Sequence, residues 1–161
     1  VELTHVDAAG AARMVDVSEK VPTARTAVAT GVFRTTAEVL DLLRRDGLPK
    51  GDALATARIA GIMGAKRTPD LVPLCHPIAL SGVTLDLEPG EAEVRITATV
   101  RTTDRTGVEM EALTAVTVAG LTLHDMVKAV DPAATLDAVR VERKEGGKTG
   151  PWQRREDGQG G

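Results

Sequence analysis

The stretch Val83-Thr84-Leu85-Asp86-Leu87-Glu88-Pro89-Gly90-Glu91-Ala92-Glu93-Val94-Arg95-Ile96-Thr97-Ala98-Thr99-Val100 decides the fold. Val83, Leu85 and Leu87 alternate with polar residues, and so do Val94, Ile96, Ala98 and Val100. A period of two puts each apolar set on one face of a strand. Glu88-Pro89-Gly90-Glu91 lies between the two runs and supplies turn residues, so the stretch predicts an antiparallel hairpin. Its single apolar face needs a cover, which the flanking sequence supplies as helices.

Working outward toward the N-terminus, Pro69, Pro73 and Pro77 break regular structure, leaving Thr68 to Pro77 as a loop with about one helical turn. Before it, Asp52 is placed to cap a helix running to Lys66. Ala53, Ala55, Ala57, Ala60, Gly61, Gly64 and Ala65 make that helix suited to a close backbone approach. Thr36 can cap a shorter helix carrying Val39, Leu40, Leu42 and Leu43, stopped by Gly47 and Pro49. From Arg25, the alternation of Ala27, Ala29, Gly31 and Phe33 against Thr26, Thr30 and Arg34 predicts a half-buried strand.

Toward the C-terminus, Leu113, Val116, Gly120, Leu123, Val127 and Val130 recur at spacings of three and four, which predicts a long helix from just after Gly107 to Val130. Asp131-Pro132 ends it, and Leu136, Ala138, Val139 and Val141 offer a last strand. Strand, helices, hairpin, helix and strand in that order predict an α+β sandwich, an antiparallel sheet with helices packed on one face. A chain of 161 residues, 42% of them hydrophobic, suits one domain, here residues 1–152, with 153–161 as a flexible tail.

Composition narrows the function classes. The net charge of -3 argues against a nucleic-acid backbone as partner. Phe33 and Trp152 are the only aromatic residues, so a sheet that stacks bases is not expected. The lone Cys75 excludes an internal disulfide and a thiolate-rich metal site, and fits a reducing compartment. No segment approaches the roughly 20 apolar residues of a membrane span, so we expect a soluble, cytoplasmic protein with no membrane partner.

The candidate chemistry lies in four places. Lys50 precedes a helix N-terminus, where free amides and the dipole favour an anion, although a lysine alone is more often a surface residue. Lys66 and Arg67 close the second helix, where cations either complement the dipole or hold phosphate. Leu74-Cys75-His76-Pro77 holds an imidazole in a rigid apolar loop, able to bind substrate or carry a proton, or simply to satisfy a structural hydrogen bond. Asp125 and Lys128 share one helix face and form, at the least, a helical ion pair. Glu111 lies within about 40° of Asp125 around that helix but roughly 21 Å along it. One pocket within one chain cannot easily use both ends, so either the two ends serve different roles or a neighbouring subunit brings the second end to the site. Gly147-Lys148-Thr149 imitates the close of a phosphate-binding P-loop, but Glu142 stands where that motif needs glycine.

Leu3-Thr4-His5, Met14-Val15-Asp16-Val17-Ser18, Lys50-Gly51-Asp52, Ala55-Thr56-Ala57-Arg58-Ile59-Ala60-Gly61, Ala65-Lys66-Arg67-Thr68, Pro73-Leu74-Cys75-His76-Pro77, Thr106-Gly107-Val108-Glu109-Met110-Glu111-Ala112-Leu113-Thr114, Asp125-Met126, Lys128-Ala129-Val130 and Gly146-Gly147-Lys148 together resemble the MoaC family. The resemblance covers Leu3 to about Gly150. It implies a ferredoxin-like subunit in a homohexamer, a trimer of dimers with active sites at subunit interfaces. It also implies conversion of 3',8-cyclo-7,8-dihydro-GTP to cyclic pyranopterin monophosphate with loss of pyrophosphate, a lyase step in molybdenum cofactor (molybdopterin) biosynthesis. By resemblance Lys50 and Lys128 are catalytic lysines and Asp125 the catalytic carboxylate. Leu74, Cys75, His76, Glu109, Met110 and Glu111 bind substrate, with Arg25, Lys66 and Lys144 as further site residues. No cofactor or resident metal is required, and Mg²⁺ accompanying the triphosphate is compatible with this chemistry. A lysine whose pKa is lowered by neighbouring cations can serve as base and then as acid. The competing reading is a nucleotide-binding regulatory module of ferredoxin-like fold, which would need no reactive lysine.

Overall fold

The computed structural model describes residues 3–45, 47–48 and 51–156. Strand β1 (Thr23–Arg34) leads into α1 (Ala37–Arg44), where the Thr36 hydroxyl accepts a hydrogen bond from the Val39 amide at 3.2 Å. Helix α2 (Ala53–Lys66) starts in the same way, with Asp52 Oδ1 accepting from the Ala55 amide at 3.0 Å. Both caps stand where the sequence places them. The single turn expected in the proline-rich segment is α3 (Thr68–Leu71). The hairpin forms β2 (Leu80–Pro89) and β3 (Glu93–Asp104), closed by the Gly90 amide donating to the Glu93 carbonyl at 2.6 Å. Helix α4 (Glu109–Val127), β4 (Thr135–Glu145) and the short β5 (Trp152–Gln153) follow.

Neighbouring strands are antiparallel in the order β2-β3-β1-β4-β5. With β1 between β3 and β4, and helices making the two crossovers, the first four strands have the split βαβ arrangement of a ferredoxin-like sheet. Helix α4 packs across β1, β3 and β4, while α2 packs against α4 and over β2. Phe33, Ile96, Val116 and Leu123 are fully buried between these layers. No helix among the described residues is long and apolar enough to cross a membrane.

Small residues let the layers close. A Cβ on Gly61 would stand 2.6 Å from Leu85 Cδ2 and 2.8 Å from the Ala115 carbonyl oxygen. Gly120 meets Leu136 in the same way, so α4 lies directly on the sheet.

Two details differ from the sequence reading. Strand β1 is buried on both faces from Ala27 to Phe33, not half-buried. Its central place puts longer side chains beside the outer row, and the Thr30 hydroxyl is covered as it donates to Glu142 at 2.7 Å. Helix α4 ends three residues early, at Val127, because the Val130 and Asp131 amides both turn back onto the Val127 carbonyl. Buried Asp131 then accepts from the Thr35 hydroxyl at 2.8 Å, tying this corner to the end of β1.

Strand β4 is irregular. Its register against β1 slips between Val28 and Ala29, where Arg143 and Val141 are the successive partners and Glu142 is the extra residue. A second slip falls between Thr30 and Val32, beside Ala138, whose φ of 52° lies in the left-handed region.

Candidate active site

The start of α4 and the segment after α3 converge at one end of the sheet. Leu74, Cys75, His76, Glu109, Met110 and Glu111 line a single cavity of about 160 Å³ together with His5, Ile78, Thr106 and Gly107. The six expected substrate-binding residues, from two distant parts of the chain, therefore share one space. His5, Ile78, Thr106 and Gly107 carried no role in the sequence reading. His5 and the Thr106-Gly107 pair do lie inside the blocks that carry the family resemblance, and that was their only signal.

His76 is held rigidly, as its proline-bounded loop implies. Its Nε2 lies 2.5 Å from the Val15 carbonyl oxygen, so that nitrogen carries the proton and Nδ1 is the acceptor of the neutral ring. Cys75 is not an activated nucleophile. Burial pushes its thiol pKa up and the negative charge of Glu111 adds to this, both disfavouring the thiolate.

Glu111 is the most unusual group. It sits in the first turn of α4 yet is only 4% exposed, and its Oε2 has no hydrogen-bond partner among the described residues. Burial foremost, and the neighbouring Glu109 charge after it, raise its pKa from the usual 4.5 to about 7, against the opposing pull of its own backbone amide. Such a carboxyl can hold or release a proton near neutral pH.

Cations stand beside this cavity. Lys144 Nζ is 3.4 Å from Glu109 Oε1. Lys144 pairs in register with Ala27 on the helix-covered side of the sheet, and Arg25 lies two residues before Ala27 on the same side. Arg25 Nε donates to the Asp104 carbonyl at 3.3 Å, and its guanidinium packs against Gly147, whose φ of 81° favours glycine. A second cavity, of about 270 Å³, opens on the other side of Glu109 between Val141, Lys144 and Trp152.

The remaining expected residues lie elsewhere. Lys66 is exposed in the last turn of α2 and lines neither cavity. Asp125 and Lys128 form a 2.9 Å ion pair at the far end of α4, 14 residues beyond Glu111 and so roughly 21 Å along the axis. Lys50 lies outside the described residues. Among the described residues no three His, Cys, Asp or Glu side chains gather to hold a metal ion.

The family model described as the MoaC family matches residues 14–147. The chain belongs to the MoaC family. Among MoaC relatives, a cyclic pyranopterin monophosphate synthase of Streptomyces coelicolor is 70% identical over 152 residues, covering 94% of this chain and 89% of the relative. Cyclic pyranopterin monophosphate synthase 2 of Mycobacterium tuberculosis is 65% identical over 154 residues, covering 96% of this chain and 92% of the relative. A similarly named protein of Nocardioides is 64% identical over 155 residues.

Proposed function

We propose that this chain is a cyclic pyranopterin monophosphate synthase of molybdenum cofactor biosynthesis. It converts 3',8-cyclo-7,8-dihydro-GTP to cyclic pyranopterin monophosphate and releases pyrophosphate. The observation that carries the reading is the single cavity joining Cys75-His76 to Glu109-Met110-Glu111, with Lys144 paired to Glu109 of that lining. High identity to relatives of that name over nearly the whole chain supports it.

The chemistry suits the residues. Opening the purine-derived ring and closing the pterin requires proton transfers at several ring atoms. Glu111, with a pKa about 7, is able to exchange protons at neutral pH, and Nδ1 of His76 offers a hydrogen-bond acceptor in the same cavity. A sugar hydroxyl then attacks the α-phosphorus, forms the cyclic phosphate ester and expels pyrophosphate, while its proton passes to a base. Negative charge grows on the departing oxygens, and Arg25 and Lys144 supply positive charge from the neighbouring strands β1 and β4. Mg²⁺, where present, belongs to the triphosphate of the substrate.

Asp125 and Lys128 complete a site in this reading only if another protomer brings its α4 C-terminus to the Glu111 cavity. A homohexamer with interfacial sites meets that requirement; in this reading the protein is a cytoplasmic phosphorus–oxygen lyase whose subunits are incomplete alone. The test is direct: purified protein is incubated with the cyclised GTP derivative, and pyrophosphate and cyclic product are measured. Tight binding without pyrophosphate release would favour the regulatory-module reading instead.

A further inference from the structure

We propose that the Trp152 indole is a stacking wall for the flat bicyclic ring of substrate and product, in the cavity that β5 creates beside the Glu111 cavity. Trp152 has no evident folding task. The chain has two aromatic residues; Phe33 is fully buried in the core, whereas Trp152 stays 43% exposed on a two-residue strand paired only with Arg143 and Lys144. Its orientation is nonetheless fixed. The Arg154 guanidinium lies over the ring, 5.6 Å from its centroid, while Arg154 Nε donates to the Val141 carbonyl at 2.9 Å. Arg154 does not line the cavity, which meets the indole directly.

The other walls select the ligand class. Val141 adds apolar surface, and the Lys144–Glu109 pair presents one donor and one acceptor group at the edge. A heterocycle with donors and acceptors around its rim, of purine or pterin type, satisfies all three. The volume of about 270 Å³ is below the range of about 300–1,000 Å³ typical of whole drug-sized ligands, so this cavity takes one part of the molecule. Glu109 lines both cavities, which lets one edge of a ring held on Trp152 face the Glu111 side, where its protons are exchanged.

The identity of the ring rests on the function proposed above, and the test separates the two ideas. Trp152 is the only tryptophan and there is no tyrosine, so intrinsic fluorescence reports this residue alone. In the intact assembly, acrylamide quenching should fall by roughly half or more when the cyclic product saturates the site. Trp152→Ala should raise KM for the cyclised GTP derivative roughly ten-fold or more with kcat changed less than about three-fold, and Trp152→Phe should keep KM within about three-fold. An indole already shielded before ligand is added, an indole equally open with ligand bound, or a wild-type KM in Trp152→Ala would each overturn the stacking role. Should the wild-type protein release no pyrophosphate, the proposed function falls, and quenching is then read with GTP and a dihydropterin. Protection by either upholds the stacking wall, and protection by neither ends it.

Discussion

Lys128 Nζ lies 2.9 Å from Asp125 Oδ1 on the last turn of α4, at the opposite end of the helix from Glu111. Both side chains are about half exposed (55% and 52%), and such surface pairs contribute about 0–1 kcal/mol to stability. Lys128→Ala should therefore leave Tm within about 4 °C, yet lower turnover at least about a hundred-fold if the lysine transfers a proton. Melting and pyrophosphate release measured on one preparation separate the outcomes, and near-normal activity would remove Lys128 from the reaction. The family resemblance gives the same expectation of lost turnover for Lys50→Ala.

Because α4 holds the two groups of residues apart, two defective chains should repair each other. Lys128→Ala and Lys144→Ala protomers, each poorly active alone, are mixed under conditions that exchange subunits. Sites that draw one intact half from each partner should recover on the order of a quarter of wild-type activity in an equal mixture. Mixed oligomers with no recovered activity would mean that the two ends of α4 do not serve one site.

The raised pKa of Glu111 makes stability depend on pH in a definite direction. Between about 4.5, its usual value, and about 7, its value in the folded chain, the native state binds a proton that the unfolded chain has lost. Its contribution is complete below the lower value and is lost as pH rises through the upper one, a change on the order of 3 kcal/mol. Glu111→Gln cannot ionise, so its stability curve should be flatter across this window and should rise above wild type by pH 8. Parallel curves for the two proteins would show that Glu111 does not carry this linkage.

Gly61→Ala tests how closely α2 and α4 approach. Helix propensity alone would stabilise the variant by about 1 kcal/mol. The added methyl instead meets Leu85 and the Ala115 carbonyl, and overpacking of this kind costs about 1–3 kcal/mol. Urea denaturation should show net destabilisation, and a gain in stability would mean that the helices part without cost.

Local signals were legible in the sequence where neighbours along the chain decide the outcome. Thr36 and Asp52 cap their helices, the hairpin follows its alternation, and α3 is one turn among prolines. The separation of Glu111 from Asp125 followed from helical rise alone. Burial of the outer face of β1 was hidden, because it depends on which strands flank it. The uneven spacing of Leu136, Ala138, Val139 and Val141 is accounted for by the register slip beside Ala138. Strand β5 was too short to leave a pattern, so Trp152 could not be placed beside Lys144. A glutamate in the first turn of a helix is ordinary by sequence, and only tertiary packing makes Glu111 a buried acid.

The slip at Glu142 decides which cation stands opposite Glu109. Side chains along a strand change sides at each residue, and the extra residue skips one change, so Val141 and Lys144 both face the helices although they are three apart. A ladder that ran on without the slip would instead pair Glu142 with Val28 and Arg143 with Ala27, turning Arg143 inward in place of Lys144 and exchanging a slender ammonium for a broad guanidinium opposite Glu109. The place where the ladder slips, as much as residue identity, thus sets which charge faces the helices in this part of the chain.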